Sequence, residues 1–190
     1  MRPDPFAAAL FVTVAFVLAG LVHSAWLRTS FSRRLLMPLD AGLRFRGRRV
    51  FGDNKTVRGF IVMVPGAALA FSSLSAVLSG SSADPWPLSI AGYAALGALA
   101  GLGFMAGELP NSFVKRQFDI APGSAPRGKL ATIVCFVVDR VDSILGALVA
   151  IWAIVPTPPM MWMYVLLIGP GIHLAFSALL YRLGVKTRAA

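Results

Sequence analysis

Five stretches of this chain are apolar for about the length of a bilayer crossing, and the fourth of them, residues 130–155, carries charge in its middle: Asp139, Arg140, Val141, Asp142, Ser143. A helical crossing needs about 20 residues at ~1.5 Å rise each. An ionisable residue at that depth costs roughly 2.5–3.5 kcal/mol, so three of them together demand partners from elsewhere in the fold. Asp139 and Asp142, three apart, lie about 60° from each other on one helix face, with Cβ atoms within roughly 5–6 Å. Two carboxylates that close suit a divalent cation. The alternative is an internal ion pair, in which Arg140 neutralises one Asp and leaves the other to find its own partner.

The surrounding composition agrees. Of 190 residues, 57% are hydrophobic and 14% charged, with a mean hydropathy of +0.73. These values exclude an ordinary soluble domain and give an all-α polytopic membrane protein with one integral-membrane domain over residues 1–190. The expected spans are 6–27, 60–79, 88–106, 130–155 and 160–183. Residues 28–59 and 107–129 are the loops on one side, and a kink is expected at Pro170 in the last span. The first apolar run is longer than a signal peptide's and its positive charges follow it, so it reads as retained. A net charge of +10 would suggest nucleic acid in a soluble protein, but here the basic residues sit between apolar segments and report topology. The single cysteine, Cys135, excludes an intramolecular disulfide.

Charge placement orients the chain. Residues 28–59 hold Arg28, Arg33, Arg34, Arg44, Arg46, Arg48, Arg49, Lys55 and Arg58 against Asp40 and Asp53. Lys115, Arg116, Arg127 and Lys129 fall in the second loop, and Arg182, Lys186 and Arg188 at the C-terminal end. Sixteen of the 18 Lys and Arg residues therefore lie on one side, leaving Arg2 and Arg140. The expected topology is N-terminus outside, C-terminus and both basic loops inside. Gly97 with Gly101, and Gly103 with Gly107, have the spacing that lets helices approach closely.

Both inner loops are dense in groups that bind phosphate. In the first, Arg48, Arg49, Lys55 and Arg58 surround Gly52, Asp53, Asn54 and Thr56, which offers guanidiniums, an ammonium, a hydroxyl and free backbone donors. It is not a P-loop: Gly47 and Gly52 have the GxxxxG spacing, but Asp53 and Asn54 intervene before Lys55 and Thr56. Docking on anionic lipid headgroups explains Arg28, Arg33 and Arg34, though not the interleaved polar residues between 52 and 58. The second loop opens with GELPNSFVKR, which brings Glu108, then Ser112, Lys115 and Arg116, to the same side. Glu108, Asp139 and Asp142 form a candidate metal set. Asp119 reads as a solvated loop charge, His23 as interfacial, and His173 as a buried polar bridge between helices.

SFVKR followed downstream by DRVDS resembles the integral-membrane phosphatidate cytidylyltransferases. PLDAG, FGDNKTVRG and GELPNSFVKR together are similar to their relatives, the CDP-archaeol synthases. The resemblance covers roughly residues 38–148. It departs from the archaeal pattern at Arg46, Glu108 and Arg140, and in the length of segment 123–138, while leaving the metal carboxylates intact. The family transfers a cytidylyl group from CTP to a lipid phosphate with Mg²⁺ and releases pyrophosphate. The resemblance implies Asp139, Asp142 and Glu108 as metal ligands. It implies Gly52, Asp53, Asn54, Lys55, Thr56, Arg58, Ser112, Lys115 and Arg116 around nucleotide or lipid phosphates, with Asp139, Asp142, Lys55 and Lys115 as the catalytic set.

The charges also state what such a reaction requires. Two anions must be neutralised and aligned, and metal with Arg and Lys does this. A phosphate monoester is already ionised near pH 7, so no catalytic His or Cys is needed. The implied partners are CTP, a lipid phosphate of phosphatidate or archaeol type, and the bilayer, with no nucleic acid and with self-association left open. The implied location is the cell (inner) membrane, with the site facing the cytoplasm. Two other classes remain: a CDP-alcohol phosphotransferase, which calls for more acids than the eight present, and a non-catalytic lipid-phosphate or ion transport protein, for which there is no inverted repeat.

Overall fold

The computed structural model describes residues 3–81 and 83–184. Arg2, Lys186 and Arg188, which enter the charge asymmetry, lie outside the described residues. The described residues form six helices and one short hairpin: α1 (Pro5–Leu27), α2 (Ser30–Arg33), β1 (Arg44–Phe45), β2 (Arg48–Arg49), α3 (Val57–Leu78), α4 (Ile90–Gln117), α5 (Lys129–Trp152) and α6 (Pro159–Arg182). α1, α3, α4 and α6 are each long and apolar enough to cross a membrane. α5, at 24 residues, matches them in length but carries Asp139, Arg140 and Asp142.

Side-chain caps set the N-terminal ends of two helices. Asp4 accepts the Ala7 N–H at 2.8 Å and Ser89 accepts that of Gly92 at 3.1 Å, each satisfying a donor that the first turn leaves open. α6 continues across Pro170. α4 is longer than the sequence suggests: residues 107–117, read as the start of a loop, continue the helix through Pro110. A proline there removes one backbone hydrogen bond, but the last three turns are held by side chains that reach α3's approach and α5.

The long helices close into a ring in the order α1, α3, α4, α5, α6 and back to α1. Glycines set how tightly it closes. A Cβ on Gly97 would lie 2.4 Å from the Ala67 carbonyl oxygen of α3. On the other flank of α4, a Cβ on Gly103 would lie 2.4 Å from the Gly146 carbonyl, and one on Gly107 2.4 Å from the Asp142 carbonyl. The two glycine pairs of α4 thus serve different neighbours, and the second sets the charged segment of α5 backbone to backbone against Glu108's turn.

One end of the ring is filled. Phe11, Phe71, Trp86 and Tyr93 are almost fully buried, and Phe11 meets the other three rings at centroid distances of 5.2–6.0 Å. Trp86 Nε1 donates to the Pro156 carbonyl at 3.0 Å, while the Tyr93 hydroxyl accepts the Trp86 N–H at 2.9 Å and donates to Asp84. The other end is capped by residues 28–56. Leu39 N donates to the Lys55 carbonyl at 2.8 Å and Val57 N to the Met37 carbonyl at 3.0 Å, pinning the two ends of this loop together.

Candidate active site

Asp40 organises the first loop from inside. Its carboxylate is buried and accepts the backbone N–H of Phe51 at 2.9 Å and of Gly52 at 3.0 Å. It also accepts both Nε and Nη2 of Arg49, at 3.2 and 2.5 Å. The Arg49 guanidinium holds the Asp40 carboxyl well below the usual carboxylate range; burial opposes this, and the N–H donors of Phe51, Gly52 and Gly42 assist it. Arg49 is correspondingly raised by its bond to Asp40. Asp53 is tied outward to Arg49 at 2.9 Å, with a largely exposed side chain. Gly52 has a φ of +85°, and a Cβ there would lie 3.0 Å from Pro122 and 3.2 Å from Arg116 Nη1, so only glycine lets the first loop meet the second. Arg48 completes that junction through the Gln117 carbonyl at 2.6 Å and Asp119 at 2.5 Å. Asp119, read as a solvated charge, is exposed but paired, because the α4 extension brings it to the hairpin.

Beneath this cap lies a cavity of about 790 Å³ inside the ring. Asn54, Lys55, Thr56, Arg58, Glu108, Ser112, Lys115, Arg116, Asp139 and Asp142 all line it. Asp53 and Gly52 do not, so of the nominated residues these two shape the loop rather than the wall. Ser112 and Thr56 are buried.

Two ionic clusters meet in the wall. Lys55 pairs with Glu108, whose other oxygen accepts the Ser143 hydroxyl at 2.8 Å. Lys115 pairs with Asp139, and Asn111 Nδ2 donates to Asp139 at 2.6 Å and to Asp142 at 2.7 Å. The two carboxylates of α5 therefore converge on a single point. Glu108, Asn111, Ser112 and Lys115 recur at intervals of three and four, so they form one stripe of α4. That periodicity was the signal available for Asn111, which the sequence reading did not nominate; Asp40 had a weaker one, as the acid of PLDAG. Arg140 does not form the internal ion pair considered above: Asp139 and Asp142 are taken by α4, and the Arg140 guanidinium lies over the Phe136 ring at 3.6 Å.

Among the described residues, no three His, Cys, Asp or Glu side chains are grouped closely enough to hold a metal ion. Glu108 is separated from Asp142 by the Ser143 hydroxyl, which lies 3.3 Å from Asp142 Oδ1. A pair is present instead. The point that Asp139 and Asp142 share is filled by an electropositive NH₂ group, and turning the Asn111 amide would place its carbonyl oxygen there. That donor chemistry, two carboxylates and an amide oxygen, fits Mg²⁺. His23 and His173 line the cavity too, and Cys135 is a free thiol.

A ring of long apolar helices around an internal cavity, roofed by basic loops and carrying paired carboxylates in its wall, defines a helical membrane protein with a charged internal site. The chain belongs to the CarS-like CDP-archaeol synthase family, whose model matches residues 9–189. It is similar to the CDP-archaeol synthase of Methanopyrus kandleri, 35% identical over 130 residues that span 67% of this chain and 64% of that one. It is also similar to those of Methanospirillum hungatei, 28% identical over 79% and 87% of the two chains, and Halobacterium salinarum, 34% identical over 78% and 81%. A solved structure, reported as structural insight into an intramembrane enzyme for archaeal membrane lipids biosynthesis, superposes with a TM-score of 0.61 at 25% identity. It covers 86% of this chain and 90% of its own. The protein is an integral membrane protein.

Proposed function

We propose that this protein is a CTP-dependent cytidylyltransferase acting on a lipid phosphate of the archaeol type and producing a CDP-activated lipid. The observation that carries the reading is the meeting, at one end of the helix ring, of the Lys55 and Lys115 ammoniums, Arg58 and Arg116, and the converging Asp139 and Asp142 carboxylates around one cavity. An oxygen of the lipid phosphate attacks the α-phosphorus of CTP, the bond from that phosphorus to the bridging oxygen of the β-phosphate breaks, and pyrophosphate leaves with the electron pair. No proton must be removed, since the attacking phosphate is already ionised.

Lys55 and Lys115 are held in the wall by Glu108 and Asp139, so each is oriented before the substrate arrives. The negative triphosphate competes with those carboxylates for the ammoniums and draws them inward. Arg58 and Arg116, whose side chains are not claimed by a carboxylate among the described residues, offer forked donors to the same charge. Asp139 and Asp142, with the Asn111 oxygen, would hold Mg²⁺, which when bound neutralises phosphate charge and favours departure of pyrophosphate.

We further propose that all five long helices cross the membrane, with the N-terminus outside and residues 28–59 and 107–129 in the cytoplasm. The sixteen-of-eighteen charge asymmetry supports this, and CTP is a cytoplasmic substrate. In a Cys135→Ser background, a cysteine at Asn54 is expected to be labelled only after permeabilisation and one at Ser81 from outside; the reverse pattern refutes the orientation. The reaction is tested with purified full-length protein, Mg²⁺, CTP or ATP, and archaeol-type ether lipid phosphate, phosphatidate or polyprenyl phosphate. Pyrophosphate release only with CTP and a lipid phosphate is the expected result. No release across the panel from folded protein overturns the assignment, and release with phosphatidate alone moves the acceptor to diacyl lipids.

A further inference from the structure

Arg140 is a buried charge at the cavity that this mechanism leaves unused. It is 8% exposed and lines the cavity. None of the five ion pairs among the described residues includes it. Its neighbours in sequence are both engaged elsewhere: Asp139 by Asn111 and Lys115, Asp142 by Asn111 and the Ser143 backbone. What holds the guanidinium is Phe136, through its ring at 3.6 Å and its carbonyl, which accepts from Nη1 at 3.1 Å. Nε is buried without a hydrogen-bond partner among the described residues. An arginine cannot shed its proton to relieve this. A buried guanidinium with an open donor, seated by an aromatic ring beside a cavity, is arranged for an anion that arrives from outside the protein.

Its side of α5 tells which anion. Gly146 and the Asp142 carbonyl face the glycines of α4. Ile144 faces α6, where a Cβ on Gly169 would lie 2.6 Å from its Cδ1. Arg140 is four residues before Ile144 and so shares its stripe, on the α6 side and away from Lys115 and Ser112. On that side the cavity wall is mostly apolar, with Gly20 of α1 and Gly169, Ile172, Phe176 and Leu180 of α6, interrupted by His173 and Ser177. An anion reaching Arg140 along this wall is one carried on an apolar tail.

We infer that Arg140 binds the phosphate of the lipid acceptor, leaving the α4 and loop cations to the nucleotide; this rests on the cytidylyltransferase reading above. Full-length protein in detergent is titrated with a short-chain lipid phosphate, with inorganic phosphate and with CTP, following the thermal midpoint. Kinetics then give KM separately for acceptor and CTP. In Arg140→Gln, the lipid-phosphate concentration that protects the protein is expected to rise at least tenfold, as is the acceptor KM. Protection by CTP and its KM should stay within twofold. Arg140→Lys should recover part of the loss. Phe136→Leu, which keeps the charge but removes its seat, should give a smaller shift in the same direction and serves where Arg140→Gln does not fold.

Unchanged lipid-phosphate protection in these variants, or loss of CTP protection instead, overturns the assignment. Equal protection of the parent by inorganic phosphate at the same concentration overturns the role of the tail. If the parent binds lipid phosphate through Arg140 but releases no pyrophosphate, the inference stands and the enzymatic reading fails. If the parent turns over and Arg140→Gln does so with the same acceptor KM, the inference alone fails.

Discussion

Where α3 ends and α4 begins, Phe11, Phe71, Trp86 and Tyr93 interlock, and the polar atoms among them are satisfied by Asp84 and the Pro156 carbonyl. At the opposite end the ring encloses a cavity of about 790 Å³ whose wall carries two charged pairs. The same five helices form both ends. The difference lies in the side chains they present: aromatic rings fill the space and gain from every contact, whereas Lys55, Glu108, Lys115 and Asp139 keep water and anions within reach at the expense of packing. One end holds the helices at a fixed spacing so that the other can stay open.

Breaking either end should therefore give different symptoms. The largest effect is expected from Asp139→Asn or Asp142→Asn: turnover falls by roughly 10²–10³-fold, with the protein still folded and inserted, since neutralising a buried acid does not hinder insertion. Turnover and Mg²⁺ dependence equal to the parent's would remove these acids from the reaction. Trp86→Ala at the filled end should do the reverse, lowering stability by about 3–5 kcal/mol in a detergent melt while turnover per folded molecule at low temperature is kept. A drop in turnover as large as that of the acid variants would show that the two ends are not separable.

Gly146→Ala joins the two symptoms. Its Cβ would meet the Gly103 carbonyl at 2.1 Å, so α4 and α5 must part, at a cost of about 1–3 kcal/mol. Because Asn111 and Lys115 ride on α4 and the acids on α5, turnover should fall with stability. Full activity in this variant would show that Asn111 need not touch both acids.

The smallest effects belong to the cap. Asp40 is held ionised below the usual carboxylate range, so the unfolded chain binds the proton first as pH drops. The stability it gives is complete above about pH 4, the ordinary carboxylate value, and is lost as pH falls further through the depressed range. Asp40→Asn should abolish that acid-side dependence and loosen the loop, seen as faster proteolysis between residues 47 and 52. An unchanged acid melt would place the stabilisation elsewhere.

How much of this was legible follows from the range of each interaction. The apolar runs fixed five long helices, and the small-residue spacing in α4 announced close contact, since both depend only on local period and size. The spacing of Asp139 and Asp142 was equally local. Partner choice was not. That Lys115 rather than Arg140 neutralises Asp139, that Glu108 goes to Lys55, and that Asn111 sits between the two acids depend on which face of α4 lies against α5. Gly103, Gly107 and Gly146 decide that face by letting the backbones touch. The loop hid Asp40 for a similar reason: a carboxylate that gathers Arg49 and the N–H groups of Phe51 and Gly52 is recognisable only once the chain has turned back on itself. The sequence determined where the five long helices lie, that they belong in a membrane and which charges are available. The tertiary structure alone decided how those charges pair, because in a low-dielectric interior an ionisable group takes the partner that packing brings within hydrogen-bond reach.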